Sequence, residues 1–244
     1  MARLILAAAT VLIFVHEPGA VCEPSAALTL TTEEYPPYNM LDERTREPTG
    51  ITVDKVVELM HRAHEPFTIT SYPWQRAYRL ALDMENACVF STSRTPEREA
   101  LFTWIGPLAQ SDWAIFARAD DDRKPKSLED VRPFTIGGYN QAATGEYLKL
   151  RGYKVDLAIS DALNPQKLLR NHIDFWATGD LLGKYLIKKA GLTDQIVSLF
   201  KFELSELYMA CNLAMNPQRA EKFNRILKEM DSDGSSAAIE RKYQ

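Results

Sequence analysis

CVFSTSRTPEREALFTW, running from Cys88 to Trp104, is the stretch from which the rest of the chain can be read. Val89 and Phe90 end an apolar run with strand propensity, and Ser91, Thr92 and Ser93 place small hydroxyls at its end. Thr95 is a helix cap by type and Pro96 suits a first helical position, where a missing N–H costs nothing. That predicts a helix with Arg98 in its first turn, where the macrodipole disfavours cations and welcomes anions. A guanidinium there, with free N–H groups and the hydroxyls of Ser91 and Ser93, suits a carboxylate. The competing reading is that Arg98 merely pairs with Glu97, Glu99 or a surface acid.

Outward from this stretch, the residues before it alternate between strand and helix patterns. Leu28–Thr31 reads as a strand, and Glu33 to Tyr38 as a loop, because Pro36 and Pro37 break both helix and ladder. Tyr35 and Tyr38 make this loop either a ligand wall or a packed corner. Val53, Val56, Val57 and Met60 have helical spacing. Phe67–Tyr72 is the next strand, Pro73–Ala77 opens a helix, and Asn86–Phe90 is a third strand. Strand, helix, strand, helix, strand implies an α/β lobe with a mainly parallel sheet.

Past Trp104, Gly106-Pro107-Leu108 reads as a break and Trp113–Ala117 as a strand leading into a charged loop at 120–126. A second round starts at Phe134–Gly137, with a loop at Gly138–Gln141 and a helix at Thr144–Leu150. It continues through a strand at Val155–Ile159, a helix at Pro165–Arg170, a strand at Ile173–Ala177 and a helix at Leu181–Ala190. Ile196–Phe202 and Leu207–Leu213 are two further extended runs, and Asn216–Met230 and Ser235–Tyr243 close the chain as helices. Two α/β lobes are implied. In open α/β sheets ligands lie beyond the carboxyl ends of strands. Ser91–Arg98 and Gly138–Thr144 occupy such ends, one per lobe, so a cleft between lobes is expected.

The 244 residues carry a formal charge of -4, too mild and too scattered to indicate a nucleic-acid partner. Met1-Ala2-Arg3, an apolar run from Leu4 to Val15 and the small residues Ser25-Ala26-Ala27 read as a cleaved secretory signal over residues 1–27. The apolar run is short of the ~20 residues that span a bilayer. Cys22 raises a lipoprotein alternative, against which Val21 argues. After export Cys88 and Cys211 remain. Export permits a disulfide, but each lies in an apolar run, and the expectation is two buried free cysteines. No spacing resembles a metal site, no Gly-x-Ser-x-Gly is present and no glycine loop cradles phosphate, so no cofactor is expected. His61 and His64 near a helix end suit the negative pole. Trp104, Trp113 and Trp176 read as core or hinge packing.

These residues resemble the periplasmic solute-binding proteins of family 3, receptors of polar-amino-acid ABC transporters. The likeness rests on the Tyr35-Pro-Pro-Tyr38 loop, Gly50-Ile-Thr-Val-Asp54, Trp74-Gln-Arg-Ala77, the Ser91–Arg98 stretch, Ile136–Tyr147, Asn171-His-Ile-Asp174 and the closing Asp233–Tyr243. The resemblance implies a two-lobed type II periplasmic-binding-protein fold, an α/β fold with a two-strand hinge and a ligand cleft. Lobe one would be 28–113 with 205–244, and lobe two 114–204. It implies that Arg98 holds a ligand carboxylate beside Ser91 and Ser93, that Tyr35 and Trp74 flank the ligand, and that Tyr139, Asn140 and Thr144 close from lobe two.

Two departures stand out. The lobe-two loop reads Gln141-Ala142-Ala143-Thr144, where the family usually carries Gly-Thr-Thr. The position at which amino-acid-binding members place an amine-pairing aspartate is Gly179, with Asp180 one residue on as its replacement. The expected function is capture of a small carboxylate, an amino acid first, without catalysis. The partners would be the solute and an ABC permease in the periplasm, with the chain monomeric and no nucleic acid bound. The alternatives are a cyclohexadienyl-dehydratase-like enzyme and a sensory or accessory binding module.

Overall fold

The structure is a computed structural model and describes residues 27–243. The expected signal segment up to residue 26, with Cys22, lies outside the described residues. The chain runs β1 (Leu28–Thr32), β2 (Met40–Leu41), β3 (Pro48–Thr49), α1 (Ile51–Ala63), β4 (Phe67–Ser71), α2 (Trp74–Asp83) and β5 (Ala87–Ser93). It goes on through β6 (Thr103–Arg118), α3 (Leu128–Val131), β7 (Thr135–Tyr139), α4 (Ala143–Leu150), β8 (Lys154–Ala158) and α5 (Asn164–Leu169). β9 (Phe175–Gly179), α6 (Asp180–Lys189), β10 (Ile196–Cys211), α7 (Pro217–Ser232) and α8 (Ser235–Arg241) complete it.

Eight strands share one sheet in the order β4-β1-β5-β10-β6-β9-β7-β8. β4, β1 and β5 are parallel at one end, and β9, β7 and β8 are parallel at the other. Between them β6 and β10 run antiparallel to each other, from Ile196 opposite Arg118 to Cys211 opposite Thr103. These two long strands join the two α/β lobes as a hinge. The sequence reading of a break at 106–108, and of two separate runs in 196–213, is corrected: each is one sixteen-residue strand. The proline is accommodated because the register shifts from Leu207–Ala109 to Met209–Ile105, which leaves residues 106–108 bulged out of the ladder. The Gly106 N–H donates instead to Asn224 Oδ1 of α7 at 3.0 Å.

Helical spacing puts Val53, Val56, Leu59, Met60 and Ala63 of α1 on one buried face. They pack with Leu28, Leu30 and Phe90 of the sheet and with Phe223, Ile226, Leu227 and Met230 of α7. Trp74, Ala77 and Ala81 of α2 cover the opposite face of β5. In the second lobe, Val131 and Leu148 pack on Ile115, Ile136 and Phe175 on one side, and Leu168 and Ile187 on Phe116 and Trp176 on the other. Emptying a site such as Phe223 would cost about 3–5 kcal/mol.

The cysteine expectation is corrected as well. Cys88 and Cys211 form a disulfide. They face each other across the antiparallel β5–β10 pair inside the first lobe's core, a register that a sequence separation of 123 residues hides.

Candidate functional site

A cavity of about 530 Å³ lies between the lobes, at the carboxyl ends of the parallel strands. One wall is the loop after β1, held in place by α1. Gly50 precedes that helix at φ +125°, and a Cβ there would stand 2.4 Å from the Tyr38 carbonyl oxygen, so only glycine allows the approach. The approach lets the N–H groups of Ile51 and Thr52 donate to the carbonyls of Pro37 and Tyr38 at 3.1 and 2.9 Å. The loop so anchored turns Glu33, Glu34, Tyr35 and Pro36 into the cavity.

Arg98 lines the same cavity and is 8% exposed. Its helix is not formed. Residues 95–98 make a turn, with the Arg98 N–H on the Thr95 carbonyl, followed only by a 3-10 turn at Glu99–Leu101 before β6 begins. No helix macrodipole therefore acts on Arg98, and its surroundings rather than a helix end define this cation. The guanidinium lies over the rings of Trp74 and Tyr78, 5.4 and 5.2 Å from their centroids. Nη1 donates to the Ser93 carbonyl at 3.3 Å and Nη2 to the Gln141 carbonyl at 2.9 Å. A guanidinium has five N–H groups, so donors remain for a ligand. The salt bridges to Glu97 or Glu99 that a surface reading would require do not form; Glu99 pairs with Arg94.

The lobes meet around this group. The Trp74 indole N–H donates to the same Gln141 carbonyl at 2.9 Å, and the Trp74 backbone N–H donates to the Tyr139 hydroxyl at 3.2 Å. Gln141, at φ +60°, thus offers one second-lobe carbonyl to two first-lobe donors. Tyr35 stacks near Tyr38, with ring centroids 5.3 Å apart, and its hydroxyl bonds Ser111 Oγ at 2.9 Å. Burial pushes the Tyr35 pKa well above its ordinary value.

The structure brings Arg98, Ser91, Ser93, Tyr35, Trp74, Tyr139 and Thr144 to the cavity wall. Asn140 is not part of the wall; its backbone N–H donates to the Ala158 carbonyl. Asp180 is buried outside the cavity, where its carboxylate accepts from Lys184 Nζ at 2.7 Å and Ser198 Oγ at 3.1 Å. It starts α6, whose Leu182, Tyr185, Leu186 and Lys189 line the cavity together with Gly179 before it, whereas Asp180 does not. Ser91 hydrogen-bonds Asn39 Oδ1, which can only accept. Its single hydroxyl proton is therefore used inside the protein.

Several wall residues escaped the sequence reading, three of them with chemistry to offer. Trp113, read as packing, lines the cavity, as do Glu33 and Asp161. Asp161 lies three residues past the end of β8, so the rule that ligands lie beyond strand ends would have found it. Burial and the charge of Asp161 lift the Glu33 pKa from 4.5 to about 8, against the lowering effect of Arg98. Burial also pushes Asp161 upward, opposed by hydrogen bonds from Thr178, Asn164 and Trp176.

A two-lobed sheet with a hinge pair and a cationic, aromatic-walled cleft defines a solute-binding architecture. The chain belongs to the bacterial extracellular solute-binding proteins, family 3, whose model matches residues 28–244. Among solved structures it resembles a histidine kinase sensor domain similar to periplasmic binding proteins, at 20% identity and TM-score 0.81, covering 89% of this chain and 95% of that one. An ancestral arginine-binding protein bound to arginine is 20% identical with TM-score 0.78, covering 91% and 99%. An ancestral amino-acid-binding protein, a precursor of cyclohexadienyl dehydratase, is 20% identical with TM-score 0.74, covering 89% and 95%. No curated protein sequence matches the chain. Among the described residues no helix is long and apolar enough to cross a membrane.

Proposed function

We propose that this protein captures a small carboxylate-bearing solute of the amino-acid class in the periplasm and delivers it to an ABC importer. The reading rests on Arg98, a buried guanidinium cradled by Trp74 and Tyr78 with N–H groups to spare at the edge of an interlobe cavity. The lobe boundaries proposed are those of the sequence reading, within β6 and β10. The solute enters the open cleft and its carboxylate meets Arg98. Second-lobe groups at Tyr139–Thr144 gain contacts only on closing, so binding shifts the population toward the closed form that a permease recognises. Arg98→Ala should weaken binding by ~2–5 kcal/mol, as for other desolvated charge pairs. The test is a thermal-shift screen over amino acids and organic acids, followed by calorimetry on the parent and Arg98→Ala. Equal dissociation constants reject Arg98 as the carboxylate site.

Two observations favour other readings of the same cleft. The likeness to a kinase sensor domain supports presentation of the solute to a membrane receptor, and pull-down of a permease or a receptor from the native membrane separates these. Glu33 holds its proton at neutral pH and so supplies the cleft acid that a dehydratase requires. Aromatic product formed from prephenate or arogenate would establish that activity.

A further inference from the structure

The cavity does not end between the lobes. It continues along the second lobe, lined by Leu182, Tyr185 and Leu186 of α6 and by Ile159 and Ala162 from the turn after β8. Residues 182, 185 and 186 stand at i, i+3 and i+4 and so share one face of the helix. That is not the face on which α6 folds. A Cβ at Gly183 would stand 2.4 Å from the Phe116 ring, and Ile187 packs with Phe116 and Trp176, so these two residues mark the core side. At about 100° per residue, Gly183, Ile187, Leu186, Leu182 and Tyr185 span roughly 200° of the helix, about twice the stripe that packing on a core requires. The second half of that apolar surface has no protein partner to fold against; it faces the cavity. Lys189 ends the face with its ammonium 5.4 Å from the Tyr185 ring centre, and its methylene stem extends the same surface.

The opposite wall is fixed in place. Asp161 accepts from the Trp176 indole N–H and from Asn164 Nδ2, both at 2.8 Å, and from the Thr178 hydroxyl. These bonds pin the turn that carries Ile159 and Ala162 to β9 and α5. Ile159 is nonetheless 83% exposed and Tyr185 36%. Large apolar side chains scattered singly over a surface need no explanation, but a pair continuous with an apolar cavity wall marks a binding surface. A cavity of about 530 Å³ also falls within the range that takes drug-sized ligands.

We propose that this groove is a subsite for an apolar tail, so that the solute is a carboxylate bearing an alkyl chain. Its carboxylate meets Arg98, and its chain leaves the interlobe space past the Asp161 turn and lies along α6 over Leu182, Leu186 and Tyr185, against Ile159. This rests on the reading of Arg98 given above. The tail takes the second apolar face of α6 out of water, which is the contribution that no protein element makes. Ile159 and Tyr185 stand at the rim, so they are reached only by long chains, and a short carboxylate leaves the groove wet.

The test titrates straight-chain carboxylates of four to ten carbons, with and without an α-amino group, calorimetrically into the full chain, with 1-octanol as the uncharged control. Each methylene that enters the groove should tighten binding about threefold to fourfold, the worth of a buried methylene. The eight-carbon carboxylate should bind at least tenfold more tightly than 1-octanol. The double variant Ile159→Ser/Tyr185→Ser changes two exposed positions and leaves the core intact; circular dichroism checks its fold. It should bind the shortest carboxylate that the parent binds within twofold of the parent, and the ten-carbon one at least tenfold more weakly. Six-carbon and ten-carbon affinities within twofold of each other in the parent overturn the proposal, and so does an undiminished chain-length gain in the folded double variant. If binding is flat with chain length yet lost in Arg98→Ala, the groove fails and the Arg98 reading survives. If Arg98→Ala binds every carboxylate as the parent does, the carboxylate is not at Arg98 and the proposal falls with that reading. No response to any carboxylate removes both.

Discussion

Breaking the Cys88–Cys211 bridge while keeping its volume tests how the first lobe is held together. The pair closes a span of 123 residues, which includes all of the second lobe. In the chain-entropy account such a span restricts the unfolded chain by about 5 kcal/mol at 25 °C, with measured values for native bridges commonly about 2–4. For a chain of this size each kcal/mol moves Tm by about 2–4 °C. The double variant Cys88→Ala/Cys211→Val should therefore melt about 5–15 °C below the parent. Valine keeps most of the lost volume at a site with no solvent contact, which limits the cavity contribution. Because both cysteines belong to the first lobe's core, that lobe should open first. Hydrogen exchange ought to show protection falling in β1, β5 and α1 before β7 and β8. Calorimetric melts of the two proteins, with free thiol titration of the denatured parent, make the measurement. Free thiols at Cys88 and Cys211 in the denatured parent, or melts that coincide within 2 °C, would exclude a stabilising bridge.

Gly179→Ala places a methyl group against the Tyr35 hydroxyl. The clash is relieved by parting the lobes, so it should weaken ligand binding by about 1–3 kcal/mol while barely changing Tm without ligand. Tyr35→Ala in the same chain should recover part of that loss, and additive effects by calorimetry would deny the contact. Glu33 carries a folded-state pKa of about 8 against an ordinary 4.5. Its proton is bound more tightly in the folded chain, so its stabilising contribution is complete below pH 4.5 and disappears as pH rises through 8. The Tm of the ligand-free parent should fall between pH 5 and 8.5, and Glu33→Gln should flatten that fall; identical slopes would contradict the burial of this group. Gly50→Ala should cost at least 1 kcal/mol, because φ +125° and the Tyr38 carbonyl both oppose a side chain. It should displace the Tyr35 loop, seen as lower Tm and weaker binding together. A variant melting within 1 °C of the parent would show that the loop is not anchored there.

Local patterning determined much of this molecule. The alternation of β-branched and apolar runs with amphipathic segments marked nearly every strand and helix, because those periods depend on which face meets a core. The positions of Arg98, Ser93, Tyr35, Trp74, Tyr139 and Thr144 at strand ends, in the loops beyond them or in the first turn of the next helix were legible for the same reason: in a parallel sheet the carboxyl ends of strands open on one side. Tertiary structure alone decided the rest. Whether residues 95–98 become a helix depended on how soon β6 had to pair with β10, a contact of long sequence separation. Whether Cys88 meets Cys211 depended on the register of β5 against β10. Asp180 and Asp161 are equally plain acids in the sequence. What makes one a buried partner of Lys184 and the other a wall of the cleft is the half-turn at which α6 leaves β9, and the space at Gly179 that Tyr35 reaches across the hinge to fill.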